Sequence, residues 1–292
     1  MRIVTLLPSA TEIVCALGLQ DSLIGVSHEC DYPPHVATLP KLTRSAIPQH
    51  VAGSKIDRAV SETLKRGDSL YQLNEELLAA LQPDLVITQE LCDVCAVSFS
   101  DVQRLAARLP NHPNILSLNP PNLDGIFQDI ETVAAATHTI ERGQQLKKDL
   151  CARIERVQAR VNGLPRPRVF ALEWLDPPFA AGHWVPEMIA LAGGDEVLGQ
   201  AGVKSFRVTW EDVIAAQPNF IFLIPCGYAR HVAQREWDAL PKPRGWETIP
   251  AAQTGRVFAL EADSYCSRPA PRVVDGIEQI AAFLHPEATA NG

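Results

Sequence analysis

Three sets of residues in this 292-residue chain are of types that could do chemistry. Cys92 and Cys95 form a Cys-x-x-Cys pair, and Cys30 stands two residues after His28 with Glu29 between them. Thiolates and imidazole suit zinc or iron, which makes Cys30, Cys92 and Cys95 candidate metal ligands. The same pair could be a redox dithiol favoured by the start of a helix predicted over 98–109, or simply buried thiols. The second set is aromatic. Only 6% of the chain is Phe, Trp or Tyr, yet Trp174, Phe179, Trp184, Tyr228 and Tyr265 fall in predicted loops. There they offer apolar faces to a flat ring system, the bland alternative being core plugs at strand ends. The third set is polar: Gln89, His183 and Arg268, which share those loops with His28 and Glu29. His183 and Asp176 could pair as acid and base, but there is no Gly-rich phosphate loop, nucleophile elbow or His pair flanking a Glu. Binding is favoured over catalysis.

These residues need elements to position them, and alternating strand and helix signals supply the elements. Ile3 to Leu7 reads as a strand, followed by a helix with Ser9 as N-cap, Glu12 completing a capping box and Gly18 at its end. Leu23 to Ser27 is a second strand opening onto His28. A helix over Glu75 to Leu81 breaks at Pro83 before the buried-strand pattern Asp84 to Thr88. The second half repeats this plan. Glu12 through Gly18 matches Glu187 through Gly193 at an offset of 175, and Gln82-Pro83-Asp84 matches Gln217-Pro218-Asn219 at an offset of 135. Between the halves, apolar or small residues recur at spacings of three and four from 126 to 161. That stripe predicts one helix over 122–161, roughly 60 Å long at 1.5 Å per residue, with Gly143 as a candidate bend. The expected fold is α/β: two Rossmann-like lobes with parallel sheets, over 1–121 and 162–292, joined by that helix. Ligands of open α/β sheets sit beyond the carboxyl ends of the strands, which is where the loops above fall.

Composition narrows the classes. A formal net charge of -8 without a Lys or Arg run disfavours nucleic acid. No segment reaches the roughly 18 apolar residues of a membrane span. Seven cysteines, an odd number, argue against a disulfide framework, and the first residues leave no room for a secretory signal. The expectation is a cytoplasmic protein, periplasmic only if an export signal has been removed.

Short matching pieces run through nearly the whole chain: Arg2-Ile3-Val4 with Pro8-Ser9 and Thr11-Glu12, Gly25-Val26-Ser27, Asp31-Tyr32-Pro33-Pro34 and Pro83 to Ile87. In the second half they are Pro177-Pro178-Phe179 with Gly182, Gly193-Gly194, and Arg268 with Pro271-Arg272. On these the chain resembles the class III substrate-binding proteins of ABC transporters, the cobalamin and ferric-siderophore group, most closely the cobalamin-binding branch. The resemblance implies two α/β lobes joined by one long helix, an interlobe cleft for a corrinoid, no catalytic residues and no required cofactor. It also implies an ABC-transporter permease as partner, met by one exposed Glu on each lobe, here Glu76 and Glu211. The N-terminal half departs from the pattern, with polar residues around Glu29 and Gln89 where the cobalamin binders carry aromatics, and a thiol-bearing loop in place of plainer sequence.

The expected function is reversible binding of a cobalamin-like corrinoid by His28, Glu29, Cys30, Gln89, Trp174, Phe179, His183, Trp184, Tyr228, Tyr265 and Arg268. The alternative is a cytoplasmic metal- or thiol-dependent enzyme or metal-binding protein on the same fold, using Cys30, Cys92 and Cys95 to hold zinc or iron.

Overall fold

A computed structural model describes residues 1–46, 53–66, 70–89 and 99–289. The chain divides into two compact units, one of Met1–Pro120 and Phe127–Lys147, the other of Pro121–Ile126 and Lys148–Gly292. In the first unit the strands are β1 (Ile3–Thr5), β2 (Leu23–Val26), β3 (Thr43–Ser45), β4 (Tyr71–Leu73), β5 (Leu85–Thr88) and β6 (Asn114–Ser117). The helices are α1 (Pro8–Ala16), α2 (Gly53–Lys65), α3 (Glu75–Leu81) and α4 (Phe99–Ala106), while α5 (Leu123–Ala136) and α6 (Ile140–Val161) are shared with the second unit. The unit boundaries fall within α5 and α6.

A four-stranded parallel sheet in the order β2-β1-β5-β6 forms the centre of the first unit, with β3 and β4 as a separate antiparallel pair. Every residue of β1 and β5 is buried, as expected of strands covered on both faces. Val4, Leu6, Leu42, Leu78, Val86 and Val102 are core members here.

The second unit contains β7 (Arg168–Trp174), β8 (Phe179–Ala180), β9 (Asp195–Glu196), β10 (Phe206–Arg207), β11 (Phe220–Leu223) and β12 (Val257–Ala259). Its helices are α7 (Val185–Leu191), α8 (Trp210–Ala216), α9 (Arg230–Ala239), α10 (Pro250–Gln253), α11 (Ala262–Tyr265), α12 (Val273–Leu284) and α13 (Pro286–Thr289). Its sheet runs β10-β8-β7-β11-β12, with β9 also beside β7. The β7-β11-β12 part is parallel, whereas β8 lies antiparallel to β7 and β10 antiparallel to β8, so this sheet is mixed rather than purely parallel.

The internal repeat is visible atom by atom. In the first unit Arg2 donates from Nε and Nη2 to the carbonyl of Leu81 at the end of α3, at 3.1 and 2.8 Å. In the second, Arg168 does the same to Ala216 at the end of α8, at 3.0 and 2.7 Å. Both arginines also exchange bonds with the residue two beyond a left-handed glutamine. The Arg2 amide donates to Asp84 Oδ2 and the Asp84 amide to the Arg2 carbonyl, and Arg168 and Asn219 repeat the pattern. Gln82 (φ 44°) and Gln217 (φ 46°) end their helices in the left-handed region, and a proline follows each. Charge-assisted bonds to terminal helix carbonyls satisfy acceptors that the helix leaves open.

Local expectations are corrected at two points. The capping box of Ser9 and Glu12 does not form: α1 begins two residues earlier, with Leu7 as an N-cap lacking a side-chain bond and Pro8 in its first turn. Proline fits there because the first turn has no use for its missing N–H. The stripe over 122–161 belongs to two helices, α5 and α6, separated at His138, whose φ is 57°. The Thr139 amide donates to the Ala134 carbonyl at 2.8 Å, a Schellman-type ending. Gly143 lies within α6 and marks close packing, since a Cβ there would sit 2.5 Å from the Ala134 Cβ.

Two predictions follow from packing. A Cβ on Gly182 would lie 2.2 Å from the Val203 carbonyl oxygen and 2.6 Å from the Ser205 nitrogen. Gly182→Ala is expected to cost about 2–3 kcal/mol in urea denaturation, because backbone must move to admit the methyl. On α5, Asp129 Oδ2 is buried with no hydrogen-bond partner among the described residues, and burial pushes the carboxyl up to about 7. A folded-state value above the unfolded one means a contribution to stability that is full below pH ~4 and lost as pH rises through ~7. Asp129→Asn is therefore expected to be the more stable form at pH 8, by roughly 1 kcal/mol for a partly exposed group, with the advantage vanishing by pH 4. Urea midpoints across that range measure it.

Candidate functional site

The residues that follow β2 in the first unit form a hydrogen-bonded group. The Thr43 hydroxyl, on β3, donates to Ser27 Oγ at 3.0 Å, receives the His28 backbone N–H at 3.0 Å and lies 2.7 Å from His28 Nδ1. Tyr71, on β4, has its ring 5.7 Å from that of His28 and donates its hydroxyl to Glu29 Oε1 at 3.1 Å. Burial, aided by Lys41, holds His28 below the usual imidazole range against the opposing pull of Glu29. His28 Nε2 is shielded from solvent and has no partner among the described residues. Cys30 is buried, and its sulfur accepts from the Thr11 hydroxyl at 3.0 Å while its carbonyl accepts from Lys41 Nζ at 2.8 Å. At the end of β5, Thr88 and Gln89 are buried, and Thr88 Oγ1 also has no partner among the described residues. Cys92 and Cys95 lie outside the described residues, as does Glu90. Among the described residues no three His, Cys, Asp or Glu side chains converge as metal ligands.

In the second unit the site residues cluster around the β7-β8 hairpin. Trp174 ends β7 opposite Phe179 on β8, and Tyr228 meets the Trp174 ring edge-on at 5.5 Å. The Arg207 guanidinium sits 5.5 Å from the centre of the Phe179 ring. Trp174 Nε1 is buried with no acceptor among the described residues. His183 follows the hairpin with φ 50°, a left-handed conformation uncommon for a residue with a Cβ, and is held there by its amide bond to the Val203 carbonyl at 2.7 Å. Its Nε2 is buried and unpartnered among the described residues, and burial with Lys204 nearby lowers its pKa. Such atoms collect at functional sites because a ligand can complete them.

Other predicted positions have different surroundings. Trp184 is only 6% exposed and donates Nε1 to the Cys266 carbonyl at 2.8 Å, so it packs in the core. Tyr265 ends α11, half-buried, with the Arg272 guanidinium 5.9 Å from its ring centre, and Arg268 lies half-buried three residues on. Glu76 and Glu211 are both exposed, each second in its helix, α3 or α8.

Sequence reasoning missed Glu173, recessed beside this hairpin. It accepts the Gly182 amide at 3.3 Å and a bond from Ser205, and burial raises its pKa despite them. Its negative charge adds to the burial that pushes the Cys266 thiol up to about 12, which leaves that thiol inert. Glu196 was missed as well. Its carboxylate accepts the amides of Ala171, Leu198 and Gly199 at 2.9–3.1 Å and ties β9 to β7, while burial raises it to about 7. The only signal in the sequence is at Glu173, a carboxylate inside an apolar strand run, whereas Glu196 follows Gly193-Gly194-Asp195 and carries none.

The model of the periplasmic binding protein family matches residues 3–264. A vitamin B12-binding protein of Vibrio cholerae is 27% identical over 97% of this chain and 88% of its own length. The crystal structure of the periplasmic vitamin B12 binding protein BtuF of that organism superposes with a TM-score of 0.69 at 26% identity, covering 100% of this chain and 98% of that one. A periplasmic heme-binding protein, RhuT from Roseiflexus, superposes with a TM-score of 0.71 at 26% identity over 99% of both chains. These relatives are substrate-binding proteins and not enzymes, and so is this chain. By its family match, which spans most of its length, the chain belongs to the periplasmic binding protein family.

Proposed function

We propose that the chain reversibly binds a corrinoid through its strand-end loops and delivers it to an ABC-transporter permease, docking through Glu76 and Glu211. One observation supports the ligand site above all. Of six buried side-chain polar atoms without a partner among the described residues, four stand at strand ends or in the loops that follow: His28 Nε2, Thr88 Oγ1, Trp174 Nε1 and His183 Nε2. Each unmet donor or acceptor costs about 1–3 kcal/mol, which a ligand rich in polar side groups can offset. Trp174, Phe179 and Tyr228 add apolar faces for the flat part of such a ligand. The named ligands of the relatives, vitamin B12 and heme, share this form of a planar metal macrocycle with polar edges. The periplasm of those relatives replaces the cytoplasm as the proposed compartment, and no resident zinc or iron is required.

Titration with cobalamin and cobinamide, with heme as a third arm, tests the reading. A corrinoid is expected to shift its visible bands and to co-elute with the protein at micromolar concentration. An unchanged spectrum and colourless protein would end the corrinoid reading. Trp174→Phe removes the unmet indole N–H while keeping an aromatic face. It is expected to stabilise the ligand-free protein by about 1 kcal/mol in urea and to weaken corrinoid binding roughly tenfold. A variant that gains stability but keeps its affinity for the corrinoid would show that the indole N–H is not what the ligand meets.

A further inference from the structure

The hydrogen-bond arithmetic around His28 goes further than its position. A threonine hydroxyl has one proton to give and two lone pairs to accept with. The Thr43 proton is directed to Ser27 Oγ, at 3.0 Å, and one lone pair receives the His28 backbone N–H. The contact of 2.7 Å to His28 Nδ1 is then satisfied only if Nδ1 carries the proton and donates into the second lone pair. In neutral imidazole a protonated Nδ1 leaves Nε2 bare, so the partner held on one nitrogen sets the role of the other. Desolvation keeps the ring neutral. Nε2 is the atom that finds no protein donor among the described residues, with the Tyr71 ring beside the imidazole.

We infer that Ser27 and Thr43 are positioning residues that lock His28 as an acceptor, and that this acceptor selects a macrocycle whose edge carries amide N–H donors over one whose edge carries carboxylates. This rests on the proposed binding of a planar macrocycle and decides which kind the site prefers. Corrinoid rings are fringed with primary amides, whereas heme presents ionised carboxylates. An amide N–H completes the bare Nε2. A carboxylate sets a second acceptor against it and leaves both unmet in a site shielded from water, the kind of mismatch that rejects a competitor. Neither Ser27 nor Thr43 need touch the ligand. Their part is to keep the imidazole from turning its N–H outward.

Two measurements test this. Nitrogen-15 spectra of the ligand-free protein are expected to show His28 with a proton on Nδ1 and a bare Nε2, and Thr43→Val to yield a tautomer mixture that Thr43→Ser restores to the wild-type state. Affinities are then compared for heme and for heme converted to its diamide, which share one ring and one metal. Wild type is expected to prefer the diamide roughly tenfold, the worth of one buried hydrogen bond made against one left unmet. His28→Phe is expected to bring that ratio near one, and dicyanocobinamide, whose axial positions are filled, to lose affinity to a similar degree. An Nε2–H signal in the wild type, or a diamide ratio untouched by His28→Phe, overturns the inference while leaving macrocycle binding intact. So does a histidine-ligated heme spectrum that His28→Phe abolishes, since Nε2 would then face the metal. Retention of none of the three rings removes both this inference and the reading beneath it.

Discussion

The ladder between the first strand of each half and the strand that follows its short helix is the constraint on which the rest depends. β1 pairs with β5 from Ile3 to Thr5, and β7 pairs with β11 over Val169 to Leu172, both parallel and buried. Parallel pairing needs a crossover, so everything between the paired strands must leave one end of the sheet and return to the other. An arginine at the start of each ladder fixes the return by holding the last carbonyl of the preceding helix. Once that end is pinned, the carboxyl ends of the strands and their loops are placed at the other. There the side chains of His28, Thr88, Trp174 and His183 each carry a buried polar atom without a partner among the described residues.

The two halves meet this constraint with different edges. In the first unit the sheet stays parallel, and the residues after β2 are organised by hydroxyls: Ser27, Thr43 and Tyr71. In the second, an antiparallel hairpin is added beside the first strand, and its end is organised by aromatics and by the left-handed His183.

Much of this was legible in the sequence because the responsible signals are local. The Gln-Pro helix endings, the buried strand that follows each and the glycines at 18 and 193 are short patterns with one physical reading. The break at His138 was not legible, because a gap of only a few residues between α5 and α6 leaves apolar spacings of three and four intact across it. Nor was the failure of the Ser9 cap, where Pro8 competes for the same turn, or the burial of Trp184, whose acceptor is the carbonyl of Cys266, 82 residues away. Glu173 and Glu196 escaped for the same reason. A carboxylate in a strand looks like an edge residue until the amides that surround it are known.

The assignment of α5 and α6 to both units has a consequence for how the protein is made. Synthesis proceeds from the N-terminus, and domains tend to fold as they emerge. The clasp from Arg2 to Leu81 is complete within the first third of the chain. The first unit nevertheless stays open until Arg142 arrives to bond the Leu17 carbonyl, 125 residues behind it. Leu123, already synthesised by then, is itself part of the second unit and has to wait longer, because its amide donates to Glu187. The nascent first half therefore has a framework before it has a finished unit, and its last closing piece is the helix that also begins the second.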